Sequence, residues 1–412
     1  MKILIHSANF APEPVGIGKY SGELAEWLAA QGHEVRVVAA PPYYPAWQLD
    51  PAYRWPPYRR ERWRGVDVWR APLWVPKKPG GLTRVLHLCT FALSSLPLML
   101  RQVVWRPDVV LTVAPALVCA PAGWLTARLS GAQAWLHVQD FEVDVALQMG
   151  LLKGEGLART VRAIESWLLK RFDVVSTISG RMRQHLLRKG VAAARTHLFI
   201  NWADVDGIRP LAGDSPYRAE LGLAHDAKVM LFSGTLGAKQ GLMVIPEAAR
   251  LLLQRPDIVF LVCGSGAMLP ELERAARELP NLRLLPLQPL ERLGDLLGLA
   301  SLHLLPQSQE AEDLVLPSKL TGMLASGRPV VATCRADTEL AQVVGRCGRV
   351  VPPGDAAALA QAITTLLADP TQCAALGENA RDYAMRHLAR DAVLGSLVTR
   401  MNNPSEVCET TT

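Results

Sequence analysis

Residues 313–333 read DLVLPSKLTGMLASGRPVVAT, and they are the most informative part of the sequence. Ser318 follows a proline and is a favourable N-cap, so residues 319–325 are predicted to form a short helix. The Ser-Gly pair that follows ends the helix, and residues 328–333 predict a buried strand. The helix start would direct free N–H groups outward, and Lys319 adds a full positive charge. The stretch therefore indicates either an anion site or an ordinary αβ unit with a surface lysine.

This stretch resembles the donor-binding signature P-S-K-hydrophobic…A-x-G-x-P-V of retaining nucleotide-sugar glycosyltransferases. Within these enzymes the chain is similar, over nearly its whole length, to the bacterial colanic acid biosynthesis glycosyltransferases of the family 4 type. The resemblance implies an α/β fold of GT-B architecture, in which two Rossmann-like domains face a central cleft. It also implies that Leu316, Ser318 and Lys319 bind the donor and that Lys319 acts in catalysis.

The length and composition set limits on the class of protein. A chain of 412 residues is too long for one hydrophobic core, so two domains are expected. The seven cysteines are odd in number and form no C-x-x-C pair, which argues against a disulfide framework or a zinc site. The first residues, MKILIHS, predict a strand and not a signal peptide. We therefore expect a protein of a reducing, cytoplasmic compartment.

The positive charge is concentrated in the first half of the chain. Residues 1–205 contain 25 Lys and Arg against 15 Asp and Glu, whereas the remainder contains 19 against 23. A basic first half suits an anionic membrane surface, a lipid diphosphate or nucleic acid. The sequence has no arginine-rich recognition helix and no RNA-binding strand motif, so nucleic acid is the weakest of these three and is not expected as a partner.

A βαβ pattern opens the chain, with an apolar strand at residues 2–6, a helix at 21–30 and a second strand at 34–39. Gly16 and Gly18 lie in the loop after the first strand. A G-x-G pattern alone serves turn geometry in many such loops. The resemblance implies a further role, in which this loop approaches the donor phosphates and the acceptor.

The segment 41–70 combines aromatic and basic side chains. Its aromatic residues are Tyr43, Tyr44, Trp47, Tyr53, Trp55, Tyr58, Trp63 and Trp69, and its arginines are Arg54, Arg59, Arg60, Arg62, Arg64 and Arg70. An exposed loop of this composition fits a water–lipid boundary, sugar stacking or a phosphate clamp. The alternative is a solvated loop whose aromatic rings cover a neighbouring helix. The resemblance implies that the segment contributes to acceptor binding.

Residues 82–100 are apolar but are interrupted by Arg84, His87 and Pro97. They fall short of the roughly 20 uninterrupted apolar residues that a membrane span requires. We therefore expect an interfacial or core helix, and a protein that lies on the membrane without crossing it.

A polar group follows the predicted strand that begins at residue 134. Ligands bind outside the carboxyl ends of strands in open α/β sheets. Many members of the resembled family carry His-Asp here, whereas this chain has Gln139 and Asp140, with His137 two residues earlier. We predict that Asp140 contacts the reacting sugar. His137 is a second catalytic candidate, with a buried structural histidine as the alternative.

The resemblance also places the domain limits. Residues 197–204 resemble the I-x-N-G-x-D crossover of the family, with Trp202 in place of the usual glycine. The predicted domains are an acceptor-binding domain at 1–206 and a nucleotide-sugar-binding domain at 207–390. A helix within 391–412 is expected to cross back to the first domain, ahead of a disordered tail.

Two glycine-rich loops follow strands of the predicted second domain. The usual family pattern is G-R-x4-K-G, and here Thr235 stands at the arginine position, Gln240 at the lysine position and Lys239 one residue early. The resemblance implies that Gly234 and these three residues bind the donor diphosphate. It places the second loop, Gly264, Ser265 and Gly266, beside the nucleotide base.

The E-x7-E pair of the commonest family members is missing, because its two registers fall on Leu314 and Gly322. The second glutamate usually binds the ribose hydroxyls. Glu310, Glu312 or Asp313 could take that role, and the sequence does not distinguish them.

The departing nucleoside diphosphate requires stabilisation of its negative charge. A metal-bound mechanism favours a D-x-D pair at a strand end, and the only match, 204–206, falls in the predicted linker. We expect neither a metal nor another cofactor, because Ser318, Lys319, Lys239 and the loop amides of 234–241 can supply the stabilisation.

The resemblance implies retention of anomeric configuration, a lipid-linked saccharide acceptor at the inner membrane face, and GDP-fucose as the leading donor. The rival functions are a sugar-nucleotide epimerase of the same fold and a non-catalytic nucleotide-sugar-binding protein.

Overall fold

The computed structural model describes residues 1–77, 80–114, 117–148, 154–237, 240–309 and 316–403. The chain forms two compact units. The first comprises Met1–Ile200 and the C-terminal segment from Leu394, and the second comprises Asn201–Val393.

The first unit is built on a twisted sheet whose strand order, within the described residues, is β3-β4-β2-β1-β5-β6-β7-β8. The strands are β1 (Lys2–Ser7), β2 (Glu34–Ala39), β3 (Arg59–Trp63), β4 (Val66–Arg70), β5 (Val109–Ala114), β6 (Gln133–Val138), β7 (Val174–Thr177) and β8 (Thr196–Leu198). Neighbouring strands are parallel except β3 and β4, and the register is set by pairs such as Ile3 with Val35 and Ile3 with Val109. The central strands are buried on both faces, which explains their almost continuous apolar sequence.

Six helices of the described part of this unit connect the strands. They are α1 (Gly16–Ala30), α2 (Gly81–Gln102), α3 (Ala120–Ser130), α4 (Glu142–Gln148), α5 (Glu155–Leu169) and α6 (Gly180–Arg188). One core joins the inner sides of α2, α3, α5 and α6 to the sheet, with Met99, Phe172 and Met182 among its buried members. The carboxyl ends of the parallel strands consequently meet at one edge, where the loops before α1 and α4 lie.

The segment 41–70 is only partly a loop. Residues 59–70 form the β3–β4 hairpin at the edge of the sheet, so an exposed loop is the wrong interpretation for this half. Arg70 is 1% exposed and donates to the carboxylate of Glu61 and to the carbonyls of Ala40 and Ala11. The sequence of β3 lacks the apolar pattern that predicts a strand, because this edge strand exposes its charged arginine side chains.

Helix α2 differs from the expectation for residues 82–100. By length and composition alone, Thr83–Trp105 is sufficient to cross a membrane, and only 22% of its apolar window is buried. Its inner side nevertheless belongs to the core. Phe91 and Met99 are fully buried, and Ser95 contacts His6 Nε2 at 3.0 Å. A packed core helix passes the same composition test as a membrane span.

The second unit has an all-parallel sheet whose order, within the described residues, is β11-β10-β9-β12-β13-β14. The strands are β9 (Lys228–Ser233), β10 (Ile258–Cys263), β11 (Leu282–Leu285), β12 (Leu302–Pro306), β13 (Val330–Thr333) and β14 (Gly348–Val351). The helices are α7 (Pro216–Glu220), α8 (Val244–Leu251), α9 (Leu269–Glu278), α10 (Leu293–Gly298), α11 (Ser318–Ala325), α12 (Glu339–Cys347), α13 (Ala356–Ala368), α14 (Pro370–Tyr383) and α15 (Arg390–Asn402). A core around Phe232, Phe260 and Leu304 fills the space between sheet and helices.

Two chain segments complete this architecture. A π-helical turn at Ala384–Leu388 separates α14 from α15. Helix α15 starts in the second unit and ends in the first, where Arg400 donates to the carbonyl of Ala194 at 2.5 Å.

Candidate functional site

Lys319 is the second residue of α11 and lies at the carboxyl edge of the second sheet. Its Nζ donates to Gln240 Oε1 at 2.8 Å, lies 3.4 Å from the carbonyl of Thr235 and sits 4.3 Å from the ring centre of Phe232. Burial lowers the pKa of Lys319 to about 8. No carboxylate of the described residues forms an ion pair with this ammonium group. The geometry therefore leaves a partly desolvated cation that an anionic ligand could neutralise.

The glycine at position 234 makes room for this lysine. A Cβ on Gly234 would come within 2.7 Å of Lys319 Cε, and the φ of Gly234 is +143°. Gly241 has a φ of +65°, and a Cβ on it would likewise lie only 3.0 Å from the backbone carbonyl of Gln307. These positions need glycine for close approach and for conformation.

The second glycine loop packs directly on the first. A Cβ on Gly264 would overlap with the carbonyl oxygen of Gly234, and one on Gly266 would come within 2.5 Å of the Leu236 carbonyl oxygen. Ser265 is exposed between them, and its carbonyl accepts from Leu236 N at 2.8 Å. Loop packing therefore accounts for both glycines without a ligand.

Several of the predicted anion-binding amides are already paired. Gly234 N donates to Cys263 O, Leu236 N to Ser265 O and Gln240 N to Gly237 O. The expectation that loop amides across 234–241 stabilise the diphosphate is therefore wrong for these three groups. Lys319 lies against this loop through Thr235 and Gln240, and Lys239 lies outside the described residues.

The start of α11 differs from the prediction by one residue. Pro317 occupies the N-cap, without a side-chain hydrogen bond, and Ser318 is the first helical residue, so Ser318 as N-cap is wrong. The Ser318 side chain is exposed and Leu316 is half-buried. The hydroxyl of Ser318 and the first turn of α11 thus lie beside Lys319. Glu310, Glu312 and Asp313 fall outside the described residues.

A buried carboxylate organises the corresponding loops of the first unit. Glu13 is 4% exposed and accepts from Asn9 Nδ2, Tyr43 N and Tyr44 N at 2.9 to 3.1 Å. A Cβ on Gly18 would overlap with the carboxylate of Glu13. Sequence analysis missed Glu13, although a lone acidic residue between two prolines ahead of G-x-G was a usable signal.

The two glycines of the G-x-G loop therefore have different roles. Gly18 is buried in the first turn of α1, where its missing side chain accommodates Glu13. Gly16 has a φ of +61° at the start of α1, and a Cβ there would only touch the ring of Tyr44 at 3.8 Å. Of the two, Gly16 is the one whose surroundings leave room for a ligand.

Asp140 and Glu142 lie together at the carboxyl edge of the first sheet. Glu142 begins α4 and accepts from Leu117 N at 2.9 Å. Burial raises the pKa of Glu142 to about 7. Partial desolvation also raises the pKa of Asp140, an effect that the positive charge of Arg84 opposes. Two carboxyl groups whose pKa values are both raised by burial thus lie near an arginine, a combination typical of functional sites.

His137 lies in the core of the first unit. It is 2% exposed, and its Nδ1 lies 3.0 Å from Ser176 Oγ, which also accepts from Trp135 Nε1. Burial lowers the pKa of His137 to about 3, so the ring is neutral. The structure does not bring His137 to the accessible edge beside Asp140, and this favours the structural alternative.

The described residues contain no group of three or more His, Cys, Asp and Glu side chains that could hold a metal ion. Asp204, from the D-x-D match, instead closes a turn by accepting from Gly207 N at 2.9 Å. A cavity of about 210 Å³ lies at the opposite end of the second sheet, lined by Arg218, Lys228 and Arg328 among others. This cavity adjoins the amino ends of β9, β12 and β13, whereas ligands of open α/β sheets bind at the carboxyl ends.

Comparison with known proteins agrees with this arrangement. The Glycosyl transferase 4-like domain matches residues 15–202, and the Glycosyl transferases group 1 domain matches residues 227–369. The putative colanic acid biosynthesis glycosyl transferase WcaI of Escherichia coli is 42% identical over 409 residues, which cover 97% of this chain and 99% of that protein. Sucrose-phosphate synthase from Thermosynechococcus elongatus has a TM-score of 0.72 at 21% identity and covers 97% of this chain and 98% of its own. Anabaena HepE in complex with UDP-glucose has a TM-score of 0.65 at 18% identity and covers 98% and 99%.

Two α/β units with largely parallel sheets and glycine-rich loops at the carboxyl ends of their strands, together with these likenesses, define a glycosyltransferase of GT-B fold. The chain belongs to the family of glycosyltransferases that combine a glycosyl transferase 4-like domain with a group 1 domain. The predicted GT-B fold and the family 4 type are thereby confirmed.

Proposed function

We propose that this glycosyltransferase moves a sugar, with retention of configuration, from a nucleotide diphosphate sugar to a lipid-linked saccharide. The pathway is the biosynthesis of a colanic acid-like exopolysaccharide, as the name of the 42% identical relative suggests. GDP-fucose is the leading donor. In this proposal the enzyme works without a metal ion at the cytoplasmic face of the bacterial plasma membrane, with residues 1–206 binding the acceptor and 207–390 the donor.

One observation supports the donor side above all others. Lys319 is partly buried at the start of α11, without a carboxylate partner among the described residues. A desolvated ammonium group and a helix N-terminus both favour a bound anion. Burial deprives the Lys319 ammonium group of stabilisation by water, and the negative charge of a nucleoside diphosphate would replace that stabilisation. Ser318, Thr235 and Gln240 border the same position.

The proposed reaction breaks the bond between the anomeric carbon and the diphosphate oxygen. The acceptor hydroxyl oxygen forms the new bond on the same face of the sugar, and its proton passes to the departing diphosphate. Lys319 stabilises the negative charge that develops on that diphosphate as the bond breaks. This arrangement requires no covalent bond between the sugar and a protein carboxylate.

On the acceptor side we assign Asp140 to contact with the reacting sugar, because its carboxyl group is accessible at the sheet edge. Glu142 and Arg84 are the charged groups near Asp140 at this edge of the sheet. His137 then supports β6 through its contact with Ser176. For the ribose contacts, Glu310, Glu312 and Asp313 stay open as the three candidates.

A panel of nucleotide sugars, with and without bacterial lipid extract, tests this proposal. We expect transfer to lipid with one donor only, at the same rate in EDTA. Lys319→Ala should lower kcat/KM at least 100-fold, whereas the matched control Lys228→Ala, an exposed lysine at the other end of β9, should not. Conversion of the sugar without acceptor would identify the epimerase, and binding without turnover would identify the non-catalytic nucleotide-sugar-binding protein.

A further inference from the structure

Helix α2 presents an apolar row to solvent. Leu86, Leu93 and Leu100 are all exposed and are spaced seven residues apart, which places them on one side of the helix. Leu93 is 74% exposed. The opposite side of the same helix carries the fully buried Phe91 and Met99. Helix α2 is therefore apolar on both its core side and its solvent side, unlike an ordinary surface helix.

The neighbouring helices extend this surface. Leu125 and Leu129 of α3 are exposed, and so are Ile164 and Trp167 of α5. Arg171 joins the two helices, since its guanidinium lies 5.7 Å from the ring centre of Trp124 and 4.5 Å from that of Trp167. Because α2, α3, α5 and α6 share one core, their outer sides form one face, which we call the helical face.

The aromatic segment adjoins this face. Tyr58 Oη donates to the carbonyl of Ser94 on α2 at 3.0 Å, directly beside Leu93. Trp55, near Tyr58 in the chain, is 81% exposed. The helical face therefore continues into exposed aromatic side chains of the type that enrich membrane–water interfaces.

The helices that form the helical face contain many more arginines than carboxylates. The helices α2, α3, α5 and α6 contain eight arginines, which are Arg84, Arg101, Arg128, Arg159, Arg162, Arg181, Arg183 and Arg188. They contain two carboxylates, Glu155 and Glu165, and Glu165 is buried against Lys189. The nearby Asp173 is paired with Arg128 at 3.8 Å. An apolar surface rimmed by arginine fits anionic phospholipid.

We propose that the helical face docks on an anionic phospholipid bilayer, with α2 lying in the interface and not crossing it. This inference rests on the proposed function only in that a lipid-linked acceptor would require such docking. A crossing α2 would have to leave the core, which would break the His6–Ser95 contact and expose Phe91 and Met99. In the interface, Leu93 and Trp167 enter the acyl boundary while exposed arginines such as Arg128, Arg159 and Arg162 contact lipid phosphates.

Vesicle flotation of the full-length protein tests the docking. We expect partition onto vesicles of phosphatidylglycerol and phosphatidylethanolamine, little onto phosphatidylcholine alone, and release at alkaline pH by carbonate, which leaves spanning helices inserted. The double variant Leu93→Glu with Trp167→Glu should lower partition at least 10-fold. The matched control is Leu287→Glu with Leu290→Glu, two leucines of the second unit that are 66% and 64% exposed, and it should bind as wild type.

A second readout separates this inference from the enzymatic proposal. With a water-soluble acceptor analogue, the Leu93/Trp167 variant should turn over as wild type, and it should lose transfer only to vesicle-embedded acceptor. Absence of transfer to every acceptor would defeat the proposed function and leave the flotation result standing. Equal flotation of wild type and the double variant would overturn the docking surface. So would a wild-type dimer in light scattering that the double variant dissociates, because a second copy would then cover this face.

Discussion

Lys319 occupies the space that any side chain at Gly234 would need, since a Cβ there would approach Lys319 Cε to 2.7 Å. The two residues are 85 positions apart, on α11 and at the end of β9. Their proximity explains why the β9 loop carries glycine and how the lysine reaches Gln240.

Gly234→Ala should therefore displace Lys319 and weaken nucleoside diphosphate binding at least 10-fold, because both the space and the positive φ are lost. Isothermal titration calorimetry with the nucleoside diphosphate measures this effect. Gly345→Ala on α12 is the control, since a Cβ there meets nothing within 4 Å. Unchanged affinity in Gly234→Ala would contradict the role of Lys319.

Lys319 should also make stability depend on pH. Burial lowers its pKa from 10.5 to about 8, so the folded state disfavours the charged form. The stabilisation of the folded state that comes from neutral Lys319 is fully present above the unfolded pKa of 10.5. This stabilisation is lost as the pH falls through the folded pKa of about 8. Relative to Lys319→Met, the wild-type free energy of unfolding should rise by about 1 to 2 kcal/mol between pH 7 and pH 10.5. Denaturant titrations of both proteins across this range measure the difference, and parallel pH curves would refute it.

Three buried histidines should destabilise the protein in acid. His6, His137 and His303 each lie within 3.0 Å of a serine hydroxyl, and burial lowers the pKa of each to about 3. Because these pKa values are lowered from 6.5, the stabilising effect is present above pH 6.5 and is lost as the pH falls towards 3.

His303→Gln should remove one of these effects. The fall in the free energy of unfolding between pH 6 and pH 5 should be smaller in this variant by about 1 kcal/mol. Urea titrations at both pH values compare it with wild type. Glu142 acts in the opposite direction, because its raised pKa of about 7 favours the folded state as the pH falls. The contribution of Glu142 is the same in wild type and variant, so it cancels in the comparison. An identical fall in the free energy of unfolding for both proteins would show that the pKa of His303 is not lowered by folding.

Glu13 should be a positioning residue for the first-unit loops. In Glu13→Gln the new NH2 group would face either the Asn9 amide NH2 or the backbone N–H groups of Tyr43 and Tyr44, so at least one hydrogen bond is lost. The free energy of unfolding should fall by about 2 kcal/mol. Glu26→Gln, which removes only an exposed ion pair with Arg64, should cost less than about 1 kcal/mol. Chemical denaturation measures both values. Equal costs would mean that the hydrogen bonds of Glu13 contribute nothing beyond a surface pair.

Much of the fold could be predicted because the parallel strands are buried on both faces and show as apolar runs. The predicted strands at 2–6 and 34–39 agree with β1 and β2. The β3–β4 hairpin could not be predicted in the same way, since β3 consists of charged and aromatic residues at a sheet edge. The buried Arg70 connects this hairpin to hydrogen-bond partners that lie 9 to 59 residues away.

The fold class, the family and the existence of α11 could be read from the sequence, because those depend on periodicity and on contiguous motifs. Tertiary structure alone decided which polar residues are accessible. It placed His137 in the core, Glu142 against the backbone of Leu117 and Glu13 beneath Gly18. Burial and pKa depend on neighbours that are distant in the chain, and no local pattern encodes them. The same reason explains why Gly18 and Gly264 accommodate other parts of the protein, whereas Gly234 makes room for the lysine of the candidate site.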